Sequence, residues 1–200
     1  KENFLVNEKI KFPEKLNNKE QNYFYDMGIK YIENLDRFNT KKNYVTDKAP
    51  LNFRWIGLIK LILPNSKIIH CYRNSRDNCF SIFKNFFPSS KLNFAYNLKE
   101  IVDYYNLYLE IMDHWKKYLP NFIIDVNYEN LISDPEIQIK KIILDSGLSW
   151  ENNCLEFYKS KRIINTASDT QARKKIYNSS INLWKNYEND VIDTFKVLKN

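Results

Sequence analysis

One stretch, Lys67 to Phe87, restricts the folds available to this chain more than any other part of its sequence. Residues 67–72 are rich in branched and aromatic side chains and follow a Pro-Asn-Ser turn, which is typical of a strand buried in a parallel sheet. Asn74 or Ser75 can then cap a helix, and apolar residues at helical spacing continue to Phe87. A strand that passes directly into a helix indicates an α/β fold.

The turn between this strand and helix has the composition of an anion-binding site. Arg73 places a permanently charged, planar guanidinium at the end of the strand, and the free N–H groups of a helix N-terminus attract anions. Asp77 suits the positive end of the helix, and Ser81, one turn later, can present a hydroxyl on the same face. Because ligands of open α/β sheets bind at the carboxyl ends of strands, we interpret this corner as an anion site. A surface ion pair between Arg73 and Asp77 is the alternative interpretation.

Length and composition indicate a globular protein with an anionic partner. A chain of 200 residues fits one domain, residues 1–200, and its 44% hydrophobic and 16% aromatic content excludes a disordered chain. The net charge of +7 favours an anionic partner, but no basic block is dense enough to indicate nucleic acid. No apolar run approaches the roughly 20 residues of a membrane helix, so we expect no membrane partner.

The cysteines and histidines do not form a metal-binding pattern. Cys71, Cys79 and Cys154 are odd in number and contain no C-x-x-C pair, which excludes a disulfide framework and a zinc motif and favours a cytoplasmic location. His70 and His114 lie far apart in sequence, and we interpret His70, inside the predicted strand, as a hydrogen-bonded core imidazole.

Strand and helix patterns alternate along the rest of the chain. Strands are predicted at residues 43–48, 67–72 and 122–128. This rhythm predicts an α/β layer fold with right-handed crossovers. Asp134-Pro135 is expected to divide one of the helices, and Gly147 to cap its end. Helices are predicted at residues 19–35, 52–63, 77–87, 98–118, 129–144, 149–158 and 178–198.

Three further segments contain residues suited to a nucleotide. Tyr128 follows the third predicted strand and therefore reaches the same sheet edge as Arg73, where its ring can pack against a base; an ordinary buried tyrosine is the alternative. Residues 166–177 are dense in hydroxyls, amides and cations and can wrap an anion, although a solvated basic loop has the same composition. Lys48 ends the first predicted strand, ahead of a helix.

Together these segments resemble the sulfotransferases that depend on 3′-phosphoadenosine-5′-phosphosulfate (PAPS). The resemblance is closest to a bacterial group often joined to tetratricopeptide repeats, and more distant to the tyrosylprotein sulfotransferases. It implies a P-loop-NTPase-like three-layer fold with a short parallel sheet flanked by helices, and tetratricopeptide repeats N-terminal to this chain are an expectation. The matching segments, in the expected order, are residues 47–61, 64–87, 112–120, 126–131, 147–158 and 162–187.

The resemblance implies a role for each matching residue. Arg73 and Ser81 match the pair that binds the 3′-phosphate of PAPS, and Tyr128 matches the residue set against the adenine. Trp184 matches the aromatic residue that anchors the following helix, and Lys48 falls at a position near the transfer site. The segment that folds over the nucleotide is matched by Ser168, Gln171, Arg173 and Tyr177.

The residue before Trp184 departs from the pattern of this group. That position is usually basic, but Leu183 occupies it here and Lys185 follows instead. One phosphate contact that the resemblance implies is therefore not expected in this chain.

The loop that defines the family is also missing from this sequence. Gly28, Gly57 and Gly147 are the only glycines, and none stands in a strand-to-helix turn that can cradle a 5′-phosphosulfate. We therefore expect this loop, the first strand and the catalytic base, a Glu or a His, to lie upstream of Lys1. On that expectation the 200 residues are the C-terminal portion of an enzyme and are inactive alone.

The implied reaction moves a sulfuryl group from PAPS to an acceptor hydroxyl on a peptide tyrosine, a sugar or a small molecule. It releases 3′-phosphoadenosine-5′-phosphate (PAP) and needs no metal, and this chain is expected to hold the 3′-phosphate and adenosine half of the site. One alternative is another P-loop-type transferase, such as a kinase that binds ATP. The other is a non-catalytic basic α/β module that binds nucleic acid or a partner protein.

Overall fold

The structure, a computed structural model, separates into two compact units, Lys1–Ser66 and Lys67–Asn200. The prediction of a single domain over residues 1–200 stays a prediction. No helix in the described ranges is long and apolar enough to cross a lipid bilayer. The residues that the structure describes are 14–36, 43–87, 90–160, 173–174, 176 and 179–199.

The described residues of the first unit form two α-helices where apolar spacing predicts them. Helix α1 (Gln21–Asp36) packs against α2 (Ile56–Ile62), which a short 3-10 helix, Pro50–Trp55, precedes. A Cβ atom at Gly28 would lie 2.1 Å from the carbonyl oxygen of Ile62, so the two helices cross where only a glycine fits. The small core of this unit is formed by Leu16, Met27, Leu58 and Ile62.

The strand predicted at residues 43–48 is wrong. This segment is exposed and joins no sheet in the described part of the chain, and the side chains of Tyr44 and Val45 face solvent. The hydroxyl of Tyr31 donates to the carboxylate of Asp47 over 2.8 Å. β-Branched and aromatic residues favour a strand only where a neighbouring strand and a buried face are present, and this segment has neither.

The second unit is built on two parallel strands, which confirms an α/β fold with a short parallel sheet flanked by helices. Strand β1 (Ile68–Tyr72) pairs with β2 (Ile123–Asn127), and His70 lies opposite Asp125. The described residues between the strands form two α-helices, α3 (Ser75–Phe83) and α4 (Leu98–Tyr118), with a 3-10 helix, Ser90–Tyr96, between them. The parallel register brings the ends of β1 and β2 to one edge of the sheet.

The core of the second unit lies where α4 packs against α3 and the C-terminal helix α7 (Glu188–Phe195). The ring of Trp184 meets that of Phe195 edge-on, with centroids 5.9 Å apart. The predicted helix over residues 178–198 is longer than the observed α-helix, because a 3-10 helix, Leu183–Tyr187, precedes α7. The buried members of this core are Cys79, Phe80, Ile101, Val102, Tyr105, Trp184, Val191 and Phe195.

Helix ends follow the capping residues in the sequence. The predicted break at Asp134 is confirmed, because α5 (Tyr128–Ser133) ends there and Pro135 begins α6 (Pro135–Asp145). Gly147 has a φ of 77°, its N–H donates to Leu144, and the next N–H donates to Ile143, which together form a Schellman cap.

Two other predicted helices differ in extent or type. Helix α3 ends at Phe83 rather than at residue 87, and Phe86 beyond it is largely exposed. The helix predicted at residues 149–158 is a 3-10 helix, Asn152–Lys159.

Candidate functional site

The turn between β1 and α3 is shaped by one capping residue. The side-chain oxygen of Asn74 accepts hydrogen bonds from the backbone N–H groups of Arg76 (3.1 Å) and Asp77 (3.2 Å). This confirms Asn74 as the N-cap of α3. Because β1 ends at Tyr72, the cap leaves Arg73 at the carboxyl end of the strand.

Arg73 is held in a largely buried position by groups of the protein itself. Its side chain is 19% exposed, and its Nη2 donates to the carbonyl oxygen of Ser180 over 2.8 Å. The same nitrogen lies 3.7 Å from the carboxylate of Asp77, four residues along α3. Its Nε is buried and makes no hydrogen bond within the described part of the chain. A guanidinium has five N–H groups and the bond to Ser180 uses one of them, so its terminal nitrogens keep donors that an anion can use.

Tyr128, at the end of β2, lies beside Arg73. The guanidinium carbon of Arg73 is 5.2 Å from the centroid of the Tyr128 ring, a cation–π contact. The Tyr128 hydroxyl lies 3.2 Å from the hydroxyl of Ser180. The structure therefore brings together two residues that the sequence analysis selected from separate segments.

Two carboxylates fix the backbone around this pair. The side chain of Asp77 is 1% exposed, and its Oδ2 accepts from the backbone N–H of Asn182 over 2.8 Å. Glu129 accepts from the backbone N–H of Asn74 over 2.9 Å and so joins the end of β2 to the turn after β1. The sequence analysis did not select Glu129, although its position directly after Tyr128 places it at the same strand end.

The corner also collects buried polar atoms that lack hydrogen bonds. Of six such side-chain atoms in the described ranges, four are at this corner. Buried polar groups are usually satisfied, so an unusual concentration of unsatisfied ones indicates a place where another molecule can supply partners. The four atoms are Arg73 Nε, Asp77 Oδ1, Glu129 Oε2 and Trp184 Nε1.

Ser81 lies on α3, one turn beyond Asp77 and therefore on the same face of the helix, and it is half-buried. Its predicted role with Arg73 stays a prediction. A second cation lies nearby, because the guanidinium of Arg76 is 4.9 Å from the centroid of the Trp184 ring. The corner therefore carries two arginines within one turn of the helix start.

Two of the remaining predicted site residues, Arg173 and Lys48, lie in described parts of the chain. Arg173 is exposed, and its Nη1 donates to the carbonyl oxygen of Ser160 over 3.1 Å. Lys48 is exposed and belongs to the first compact unit. The roles of both residues stay predictions. Ser168, Gln171 and Tyr177 lie outside the described residues.

A separate polar network crosses the sheet at His70. Its Nδ1 lies 2.6 Å from the Asp125 carboxylate, and its Nε2 contacts the hydroxyl of Tyr108. Burial lowers the pKa of His70 and outweighs the opposing effect of Asp125. Partial burial acts to raise the pKa of Asp125, but hydrogen bonds from His70 and from Lys116, 2.9 Å away, lower it overall. Both ring nitrogens are thus occupied, which agrees with the interpretation of His70 as a core imidazole.

Comparison with known sequences identifies two similarities. A profile of the sulfotransferase family matches residues 4–152. An uncharacterized protein of Aquifex aeolicus (strain VF5) is 35% identical over 171 residues, which cover 84% of this chain. The chain spans 22% of the length of that relative.

Proposed function

Because the chain belongs to the sulfotransferase family, we propose that it is part of an enzyme that transfers the sulfuryl group of PAPS to an acceptor hydroxyl and releases PAP. The observation that carries the proposal is the meeting of Arg73 and Tyr128 at one sheet edge. We assign the 3′-phosphate and adenosine half of the nucleotide site to this corner, and assign no residue of the chain as the base. The acceptor class proposed is a hydroxyl on a peptide tyrosine, a sugar or a small molecule.

The chemistry of Arg73 supports binding of the 3′-phosphate. Its guanidinium is permanently charged, has N–H groups besides the one that donates to Ser180, and lies beside the N-terminus of α3, which also favours an anion. Burial to 19% exposure reduces competition from water, so a hydrogen bond to phosphate there is stronger than one at the surface. The ring of Tyr128 offers an aromatic surface to the base next to this charge.

The role proposed for these residues is to bind and orient. PAPS, when bound, supplies the sulfuryl group, and transfer of such a group depends mainly on positioning and on stabilising spread negative charge. Arg73 and Ser81 would hold the ribose phosphate, and Tyr128 would set the orientation of the adenine. Glu129 joins the end of β2 to the turn after β1, and Asp77 joins α3 to the turn at Asn182, each through a backbone N–H.

The test is the affinity of the full-length protein for PAP, measured by calorimetry. We expect R73A to weaken binding by about 10- to 150-fold, because a hydrogen bond to a charged group contributes about 1.5–3 kcal/mol. Arg54 is exposed in the Pro50–Trp55 segment, so R54A is the matched control and is expected to bind as the wild type does. Equal affinities of R73A and R54A would contradict the proposal. If PAP competes no better than 5′-AMP in the wild type, a different nucleotide transferase is favoured.

A further inference from the structure

Ser180 touches both residues on which the proposed nucleotide site depends. Its carbonyl oxygen accepts from Arg73, and its side-chain oxygen lies 3.2 Å from the Tyr128 hydroxyl. These partners are 107 and 52 positions away in sequence. Ser180 therefore borders the place where a nucleotide that contacts both Arg73 and Tyr128 would lie.

The hydroxyls of Ser180 and Tyr128 have one O–H donor more than the hydrogen bond between them requires. Ser180 and Tyr128 each carry one O–H group, and the bond between them uses one of the two protons. The other O–H is free to donate to an additional acceptor. The backbone carbonyl of Ser180 contacts the guanidinium of Arg73 and its hydroxyl contacts Tyr128, so Ser180 borders both residues that the nucleotide would contact.

The turn that contains Ser180 is fixed from its other side. Asn182, two residues later, adopts a left-handed conformation with a φ of 58°, and its N–H donates to the buried Asp77. Trp184 then enters the core of the second unit. The same Oδ2 of Asp77 lies 3.7 Å from Arg73 Nη2, so this carboxylate orients the guanidinium and the turn together.

We propose that Ser180 is a further nucleotide-binding residue, whose hydroxyl accepts from Tyr128 and donates to the ribose 3′-phosphate that Arg73 binds. This inference rests on the proposed function. It adds to the site a residue outside the segment, Ser168 to Tyr177, that the sequence analysis selected.

The test compares S180A with S179A, because Ser179 is an exposed neighbour with the same side chain. Affinities of the full-length protein for PAP and for 5′-AMP, which lacks the 3′-phosphate, are measured by calorimetry. We expect S180A to weaken PAP binding by about 2- to 12-fold, the effect of one hydrogen bond of about 0.5–1.5 kcal/mol. Binding of 5′-AMP should stay unchanged, and S180T, which keeps the hydroxyl, should bind PAP as the wild type does.

Each other outcome has a defined meaning. Equal PAP affinities of S180A and S179A would overturn the inference, and equal losses for PAP and 5′-AMP would overturn the assignment to the 3′-phosphate. A wild type that does not bind PAP would instead reject the proposed function itself. If S180A does not fold, S180C replaces the hydroxyl by a weak donor of similar size, and the same comparisons apply.

Discussion

The buried carboxylate of Asp77 gives the sharpest test of how the site is assembled. Its Oδ2 accepts from the backbone N–H of Asn182, and no water reaches a side chain that is 1% exposed. We consider D77A and D77N. The alanine variant removes the acceptor, whereas the asparagine variant removes the charge and keeps an oxygen that can accept the same bond.

The expected magnitude follows from this geometry. In D77A the N–H of Asn182 loses this partner at a partly buried position, which costs about 1–3 kcal/mol of local stability. Arg73 also loses its neighbouring charge, 3.7 Å away and largely buried with it, but this loss is common to D77A and D77N, so the difference between the two variants reports the lost acceptor. If the loss appears as local opening of the turn, the Asn182 amide should exchange about 5- to 150-fold faster.

The assay is hydrogen exchange of the peptide that spans residues 179–184, measured by mass spectrometry with residue-level fragmentation. D77N should retain most of the protection. The matched control is D103A, because Asp103 is exposed on α4 and pairs only at the surface with Lys99. An Asn182 amide that exchanges equally fast in D77A and D103A would refute the reasoning.

Two further predictions concern the sheet. Because burial lowers the pKa of His70 from 6.5, the unfolded chain takes up a proton at higher pH than the folded chain. The stability that the neutral imidazole contributes is therefore complete above about pH 6.5 and is lost as the pH falls toward the lowered pKa. In H70Q the thermal unfolding midpoint should fall less between about pH 7 and 5 than it does in the wild type. If H70Q and the wild type show the same pH dependence, His70 is not its source. E129A should leave the N–H of Asn74 without its protein acceptor and cost about 0.5–1.5 kcal/mol in urea unfolding, because the bond is exposed, whereas E129Q keeps an acceptor and costs less. The exposed Glu136 provides the control, and a loss in E136A as large as that in E129A would contradict the prediction.

Local sequence patterns predicted the elements whose stability is mainly local. Helix α4 occupies the predicted residues 98–118, since its apolar spacing, its N-cap and the proline after it all act within one segment. The same reasoning predicted β1, the capping role of Asn74 and the break before Pro135. It failed at residues 43–48, because strand-forming side chains make a strand only when a partner strand is beside them.

For the site, the sequence by itself determined the chemistry, which consists of a guanidinium at one strand end, a tyrosine at another and a capped helix between them. Only the tertiary structure decided which other groups complete it. The contacts of Ser180 with Arg73 and Tyr128, of Asn182 with Asp77, and of Glu129 with Asn74 join positions from 52 to 107 residues apart. No periodicity or capping rule encodes such pairs, because they arise when the packing of Trp184 against α7 brings the C-terminal turn onto the ends of the parallel strands.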